Sequence, residues 1–469
     1  MKNLKIVWCS CFLLLSISLS AQTDSLYVEI DTTQVVVALN MISNNQALQP
    51  FYQKLSDLQS SKKGKINIVH LGDSHIQADL FSGMVRAKLQ EQFGNAGRGF
   101  VFPYNLAKTN GSNDIRFSSN QSWESQRNIY PDNGNPVGLS GIALFTKATD
   151  FAIEIQVRNA AYAFNKLKLI TPENKKLFEV ALTSKTIKIE SEIPKNILHT
   201  IKNGESLSVI SEKYNVSISE IKRENGLKST QIRAGKKLKI PSKEKAKKVV
   251  ERSEFIPLET ATHEGFHEFI SDSLVKKIYI IPALEQTDFA LNGLVLENNN
   301  PGIVYHSIGV NGAKCSDYSK YPLFFEQLSV LQPDLIIISL GTNESFDKLI
   351  TADFNQQLLL MINSILDKNP AVAILVTTPP PSQFKRKFPN TFVADYSKQI
   401  VSQAEEKNYA VWDLFSNFGG LFGINQLAKE GLIGSDRVHY TKTGYERQGQ
   451  LLTEALLESY NEFKIKVNE

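Results

Sequence analysis

Four apolar runs downstream of residue 300, at 302–308, 334–340, 371–377 and 409–414, alternate with segments of helical periodicity at 354–366, 394–406 and 444–460. Strands that are apolar on successive residues must be covered on both faces. Alternating with helices, they form a parallel sheet with helices on either side. A fifth run of the same character, 66–71, lies far upstream and is followed by a helical segment at 80–93. One strand with one helix cannot bury both its faces, so this strand belongs to the same sheet. The expected fold class is therefore α/β, with a long insertion after the first strand–helix unit.

The upstream strand ends in Gly72-Asp73-Ser74-His75. A serine on the turn from strand to helix presents its hydroxyl at the carboxyl edge of the sheet, where open α/β sheets build their sites. A nucleophile there needs a base, an orienting group and oxyanion donors. The chain has seven histidines. His70 and His75 flank the serine, His199 and His306 lie elsewhere, and the best base is His439, because Asp436 stands three residues before it. On a tight turn that carboxylate reaches the far ring nitrogen, fixing the tautomer and stabilising the imidazolium. Two loops after strands offer donors. One contains Gly309 and Gly312, and the other is Gly341-Thr342-Asn343-Glu344.

Taken in order, Gly72-Asp73-Ser74, Gly312, Gly341-Thr342-Asn343 and Asp436-x-x-His439 resemble the four blocks of the SGNH (GDSL-type) hydrolases, over about residues 64–93 and 298–460. The resemblance implies a parallel-sheet, flavodoxin-like fold and a serine esterase. Ser74 would be its nucleophile, His439 its base and Asp436 the orienting carboxylate, with Gly312 and Asn343 in the oxyanion hole. Gly312 is preferred to Gly309 as the last glycine before a small residue. His75 departs from the commonest motif, which has leucine there. Segments 94–103, 136–141 and 377–381 also look like stretches of peptidoglycan O-acetylesterases in this family.

Between the two hydrolase blocks the texture changes. Alternating runs such as 150–157, 166–170 and 276–282, bounded by turn residues, predict antiparallel strands of a β-sandwich. Inside it, 199–241 reads strand–helix–helix–strand, with apolar positions Leu207, Ile210 and Tyr214 on the first helix, Ile218 and Ile221 on the second, and a C-cap at Asn225-Gly226. This unit resembles a LysM domain. The resemblance implies binding of N-acetylglucosamine-containing glycans, above all peptidoglycan, in a groove drawn from Asn203, Gly204, Glu205, Ser206 and Leu207 on one side and Gly226, Leu227 and Ile232 on the other.

Met1 to Lys5 are basic, 6–19 apolar, and Ser20-Ala21-Gln22 small or polar, the pattern of a signal peptide. Cys9 and Cys11 fall inside it, leaving Cys315 alone and no internal disulfide; a buried inert thiol is the expected reading. Net charge is +4, of which Lys2 and Lys5 contribute two, so nucleic-acid binding is not indicated. No later stretch is long enough to span a membrane. His263-Glu264-Gly265-Phe266-His267 fits a zinc-protease pattern, but a glycine inside the would-be helix and β-rich surroundings predict exposed histidines on a strand or loop.

The expected layout begins with a signal peptide (1–21), a first hydrolase segment (22–93) and a first β-sandwich segment (94–198). LysM (199–241) and a Lys-rich solvated linker (242–253) follow, then a second β-sandwich segment (254–297) and a second hydrolase segment (298–469). No metal or organic cofactor is implied. The expected activity is removal of O-acetyl groups from peptidoglycan in the periplasm or cell envelope. Two alternatives are esterolysis of another acylated polysaccharide or lipid, and a non-catalytic wall-binding protein.

Overall fold

The computed structural model describes residues 40–183, 187, 189, 192–194, 196–242, 245–247 and 250–468. The signal-peptide reading, with Cys9 and Cys11, lies outside the described residues.

The central sheet has five parallel strands: β1 (Lys65–Gly72), β2 (Gly302–Gly309), β3 (Leu335–Ser339), β4 (Ala373–Thr377) and β5 (Ala410–Trp412). Their spatial order is β5-β4-β3-β1-β2, with Ile42–Ser43 added antiparallel outside β5. This is the doubly wound order of a flavodoxin-like sheet, and its switch point lies between β1 and β3.

Alternation along the strands explains their unbroken apolar sequence. Ile66 and Ile68 of β1, with Leu335 and Ile337 of β3, pack beneath helices Gln49–Ser61, Phe81–Phe93 and Lys442–Asn468. Val69 and Leu71, with Ile336 and Ile338, pack on the opposite face against helices Thr351–Lys368 and Thr391–Gln403. That second core continues without interruption into the antiparallel region.

Residues between helix Phe81–Phe93 and β2 build two five-stranded antiparallel sheets and one of three strands. Ile153, Ile155, Val180 and Ile278 of one five-stranded sheet share a core with Leu167, Leu169, Leu294 and Leu296 of the other. The four-residue ion cluster of Asp79, Arg86, Arg98 and Asp114 crosses from the parallel to the antiparallel region. Arg86 Nη1 and Arg98 Nη2 donate to Asp79 at 3.0 and 2.5 Å, and Arg98 Nε lies 3.2 Å from Asp114. Burial raises the Asp79 carboxyl, but Arg86 and Arg98 outweigh it and hold the group well below the carboxylate range.

The small unit consists of strand Ile197–Thr200, helices Leu207–Tyr214 and Ile218–Asn225, and strand Lys237–Ile240. Ser206 caps the first helix by accepting from Val209 N, and Ser217 with Glu220 forms a capping box on the second. Gly226 takes the left-handed C-cap at φ 63°.

Two expectations are corrected here. The Lys-rich segment is more than a linker. Lys245–Lys247 pairs antiparallel with Glu192–Pro194, and Arg252 donates to Pro282 O at 2.7 Å and pairs with Glu179. The pattern His263 to His267 turns a β-hairpin at Gly265 (φ 84°), but only His263 is exposed. His267 is buried, its ring nitrogens meeting Thr262 Oγ1 and Asn174 O, so it belongs to the sheet's interior polar contacts.

Candidate active site

The turn after β1 depends on glycine. A Cβ on Gly72 would lie 2.3 Å from Ile76 Cγ1 and 2.8 Å from Ser339 O, so a side chain there would push away the short helix Ser74–Gln77. Asp73 caps that helix, accepting from His75 N at 2.9 Å. Ser74 is its first residue, so the Ser74 N–H has no partner within the helix.

Ser74 Oγ lies 3.0 Å from His439 Nε2, and His439 Nδ1 lies 2.8 Å from Asp436 Oδ2. Asp436 Oδ1 also accepts from Val438 N and His439 N, each at 3.0 Å, which clamps the loop around the pair. Burial raises the Asp436 carboxyl, but its His439 hydrogen bond and the two backbone donors prevail, and it stays below the usual range. The His439 and Asp436 side chains are 50% and 45% exposed, so this relay opens directly to solvent.

Four more histidines, His70, His306, His75 and His199, are buried. His70 bonds Tyr305 Oη and Ser339 Oγ, each at 2.7 Å, and His306 accepts from Phe100 N at 3.1 Å. Burial lowers both to about 3. His75 packs beneath His439, ring centroids 5.5 Å apart, and bonds Tyr445 Oη at 2.9 Å. Burial, then the neighbouring His439, lowers it to about 3. His199 bonds Tyr214 and Glu205 within the small unit.

Gly312 stands in the turn after β2 at φ 87°, and its N–H meets no acceptor among the described residues. Asn343 behaves differently from the simple expectation of a free donor. Its Nδ2 group donates to Asp73 Oδ2 at 3.1 Å and to Ala313 O at 3.0 Å, which occupies both amide protons. Asp73 is buried, and that burial pushes its carboxyl up to about 8; the His75 N–H opposes this and Glu344 adds to it. Sequence reasoning assigned nothing to Asp73 beyond its place in the motif. Its cap position before Ser74 was the available signal.

Cys315 is a free, buried thiol, pushed well up by burial. In the small unit, Asn203, Gly204, Ser206 and Gly226 are exposed and Leu227 and Ile232 half-buried. Leu207 is not a groove residue: it is 2% exposed and lies in the core. Glu205 is engaged by His199 Nε2 and Lys202 N, each at 2.7 Å. Among the described residues no group of three or more His, Cys, Asp or Glu could hold a metal ion, and no helix is long and apolar enough to cross a membrane.

A serine, an imidazole and a carboxylate in sequence at the carboxyl edge of a flavodoxin-like sheet define a candidate ester hydrolase. Residues 286–447 match the model of the GDSL-like lipase/acylhydrolase family, and residues 199–241 match the LysM domain. The chain thus carries an SGNH-type ester hydrolase domain and a LysM domain. The first match spans Gly312, Asn343, Asp436 and His439; Ser74 lies outside it. No curated protein sequence matches the chain significantly.

Among solved structures, one described as a peptidoglycan O-acetylesterase in action shares the fold at TM-score 0.61 and 19% identity, over 90% of this chain and 99% of that one. A lipase/acylhydrolase from Enterococcus faecalis (21% identity, 33% of this chain, 75% of that one) and a catalytic mutant of an acetylxylan esterase from Geobacillus stearothermophilus (22%, 34% and 73%) align at TM-score 0.27 each.

Proposed function

We propose that this chain is an exported esterase that removes O-acetyl groups from peptidoglycan, acting in the periplasm or cell envelope. The observation that carries the chemistry is the solvent-open relay of Ser74 Oγ, His439 and Asp436, with contacts of 3.0 and 2.8 Å. Support for the substrate comes from the LysM domain and from the likeness in fold, along almost the whole chain, to a structure described as a peptidoglycan O-acetylesterase.

In this reading Ser74 Oγ attacks the acetyl carbonyl carbon while its proton passes to His439 Nε2. Asp436 holds the Nδ1 proton and stabilises the imidazolium. The carbonyl oxygen, now negative, takes hydrogen bonds from the N–H groups of Ser74 and Gly312. Asn343 joins them when it releases Asp73 or the Ala313 carbonyl. The tetrahedral intermediate collapses, and the sugar oxygen leaves with the proton from His439. Water, deprotonated by the same ring, then attacks the acetyl-serine and frees acetate. A relay open to solvent suits an ester on a bulky polymer better than one on a small ligand enclosed by the protein.

The antiparallel sheets and the LysM domain are proposed as insertions, one within the other, in the hydrolase domain. The LysM domain would hold the enzyme on its polymer and raise the local ester concentration without touching the chemistry. Acetate release from O-acetylated peptidoglycan tests the proposal. Wild type releases acetate, and Ser74→Ala binds the polymer but releases none. Release by Ser74→Ala, or none by wild type, overturns it.

A further inference from the structure

Beside the relay a small hairpin carries chemistry that the hydrolytic step does not use. Gln383–Phe384 pairs antiparallel with Phe388–Pro389, and the connecting turn is Lys385-Arg386-Lys387. All three cations are exposed, and none has an acidic partner among the described residues. Lys387 Nζ sits 5.4 Å from the centroid of the Phe388 ring, and that ring is itself 54% exposed. Lys385 and Arg386 occupy the left-handed region at φ 48° and 59°. Asn-Gly would make such a turn with less strain. Cations are held there at a conformational cost, as is common where a turn has a task other than folding.

The hairpin is fastened to both halves of the site. Gln383 N donates to Arg437 O at 2.9 Å, inside the loop between Asp436 and His439, and Tyr440 Oη donates to Pro381 O at 2.9 Å. On the other side Phe384 packs edge-on to Phe346, centroids 5.0 Å apart, and Asn390 Nδ2 donates to Ser345 Oγ at 2.8 Å. Phe346 and Ser345 belong to the helix Thr342–Phe346 that carries Asn343. Arg437, also without an acidic partner among the described residues, continues the positive charge into the relay loop.

From this placement we infer that the hairpin of residues 383–389 is a specificity element that recognises carboxylates on the glycan around the scissile ester. Exposed aromatic faces suit sugar rings, and unpartnered cations suit acids. Together they favour an acetylated strand bearing carboxylates, such as the peptide-substituted strands of peptidoglycan, over a neutral acetylated polysaccharide. The inference rests on the esterase reading above and refines its substrate. Charge recognition at an exposed surface acts through encounter and ground-state binding and weakens with salt.

The test is the triple variant K385Q/R386Q/K387Q, which removes the three charges, keeps a polar side chain at each position and leaves the relay untouched. On O-acetylated peptidoglycan at low salt its KM rises about tenfold with kcat unchanged, the difference shrinks in roughly 0.5 M salt, and kcat/KM on 4-nitrophenyl acetate stays at the wild-type value. An unchanged KM on the polymer overturns the inference. So does an equal loss on the small ester, because that is damage to the site. If wild type cleaves the small ester but not peptidoglycan, the substrate reading fails by itself. The hairpin is then judged on O-acetylated alginate against acetylated neutral xylo-oligosaccharides. A wild-type preference for the acidic polymer that the variant lacks supports it, and no such preference overturns it. Binding of wild type, but not the variant, to phosphatidylglycerol vesicles with no preference between polymers assigns the hairpin to a membrane surface and also overturns it.

Discussion

Replacing Asp436 by asparagine tests the relay through its hydrogen bonds. Asp436 makes three of them: Oδ2 with His439 Nδ1, and Oδ1 with the backbone of Val438 and His439. An asparagine that keeps its oxygen toward the two backbone donors turns its NH2 toward Nδ1. The ring must then carry its proton on Nε2, and it cannot take the Ser74 proton. Flipping the amide restores the tautomer but breaks both backbone bonds, at about 0.5–1.5 kcal/mol each, or roughly 1–3 kcal/mol together. At 1.36 kcal/mol per tenfold, that alone is a loss of roughly 5- to 150-fold. The missing carboxylate charge beneath the imidazolium adds to it. Where the carboxylate is buried, the same Asp-to-Asn change costs about 10⁴ in kcat through the wrong tautomer, but Asp436 is 45% exposed, so water competes for the ring nitrogen and screens the lost charge. The expected fall in kcat is therefore roughly 100- to 1000-fold, measured under saturation with a small acetyl ester. Asp436→Ala, which admits water and leaves the tautomer free, should lose less. Asp436→Asn retaining more than about a tenth of wild-type kcat, or losing less than Asp436→Ala, would refute the reasoning.

Other outcomes follow from the same geometry. Gly312→Ala finds no clash, its nearest neighbour being Ile129 at 3.7 Å, but at φ 87° it costs about 1–2 kcal/mol and displaces the N–H. The expected kcat falls at least about tenfold, toward the roughly 100- to 1000-fold of a lost oxyanion donor; kinetics beside a thermal melt check this. Asp73 titrates near 8 in the folded chain against 3.8 unperturbed, so between those values the folded state holds a proton that the unfolded state has released. Through this group wild-type stability declines as pH rises from 4 toward 8. The stability of Asp73→Asn relative to wild type should therefore improve from about pH 5 to about pH 8 in denaturant titrations. A constant difference refutes the assignment. Deleting residues 195–244 should raise KM on peptidoglycan about tenfold or more while leaving kcat on a small ester unchanged.

Legibility in the sequence followed the range of the interaction. The parallel strands could be read because Leu335-Ile336-Ile337-Ile338 is apolar on both faces, and Asp436 with His439 because the pair is local. The C-cap at Asn225-Gly226 is local as well. What stayed hidden depends on distant partners. His267 reads as exposed until its ring meets the distant Asn174 carbonyl, and Asn343 reads as a free donor until Asp73 and Ala313 are folded against it. Arg86 and Arg98 look like solvated charges in sequence. Their burial follows from Asp79 and Asp114, which no periodicity connects to them.

The route by which the chain enters and leaves the LysM unit has a mechanical consequence. Glu192–Pro194 and Lys245–Lys247 run antiparallel side by side, so entry and exit are one two-stranded ribbon. A pull on the module draws both strands the same way, so the load divides between them and neither is made to slide past the other. In the proposed reading, an enzyme held on its polymer through this ribbon would bear the strain on two backbones side by side.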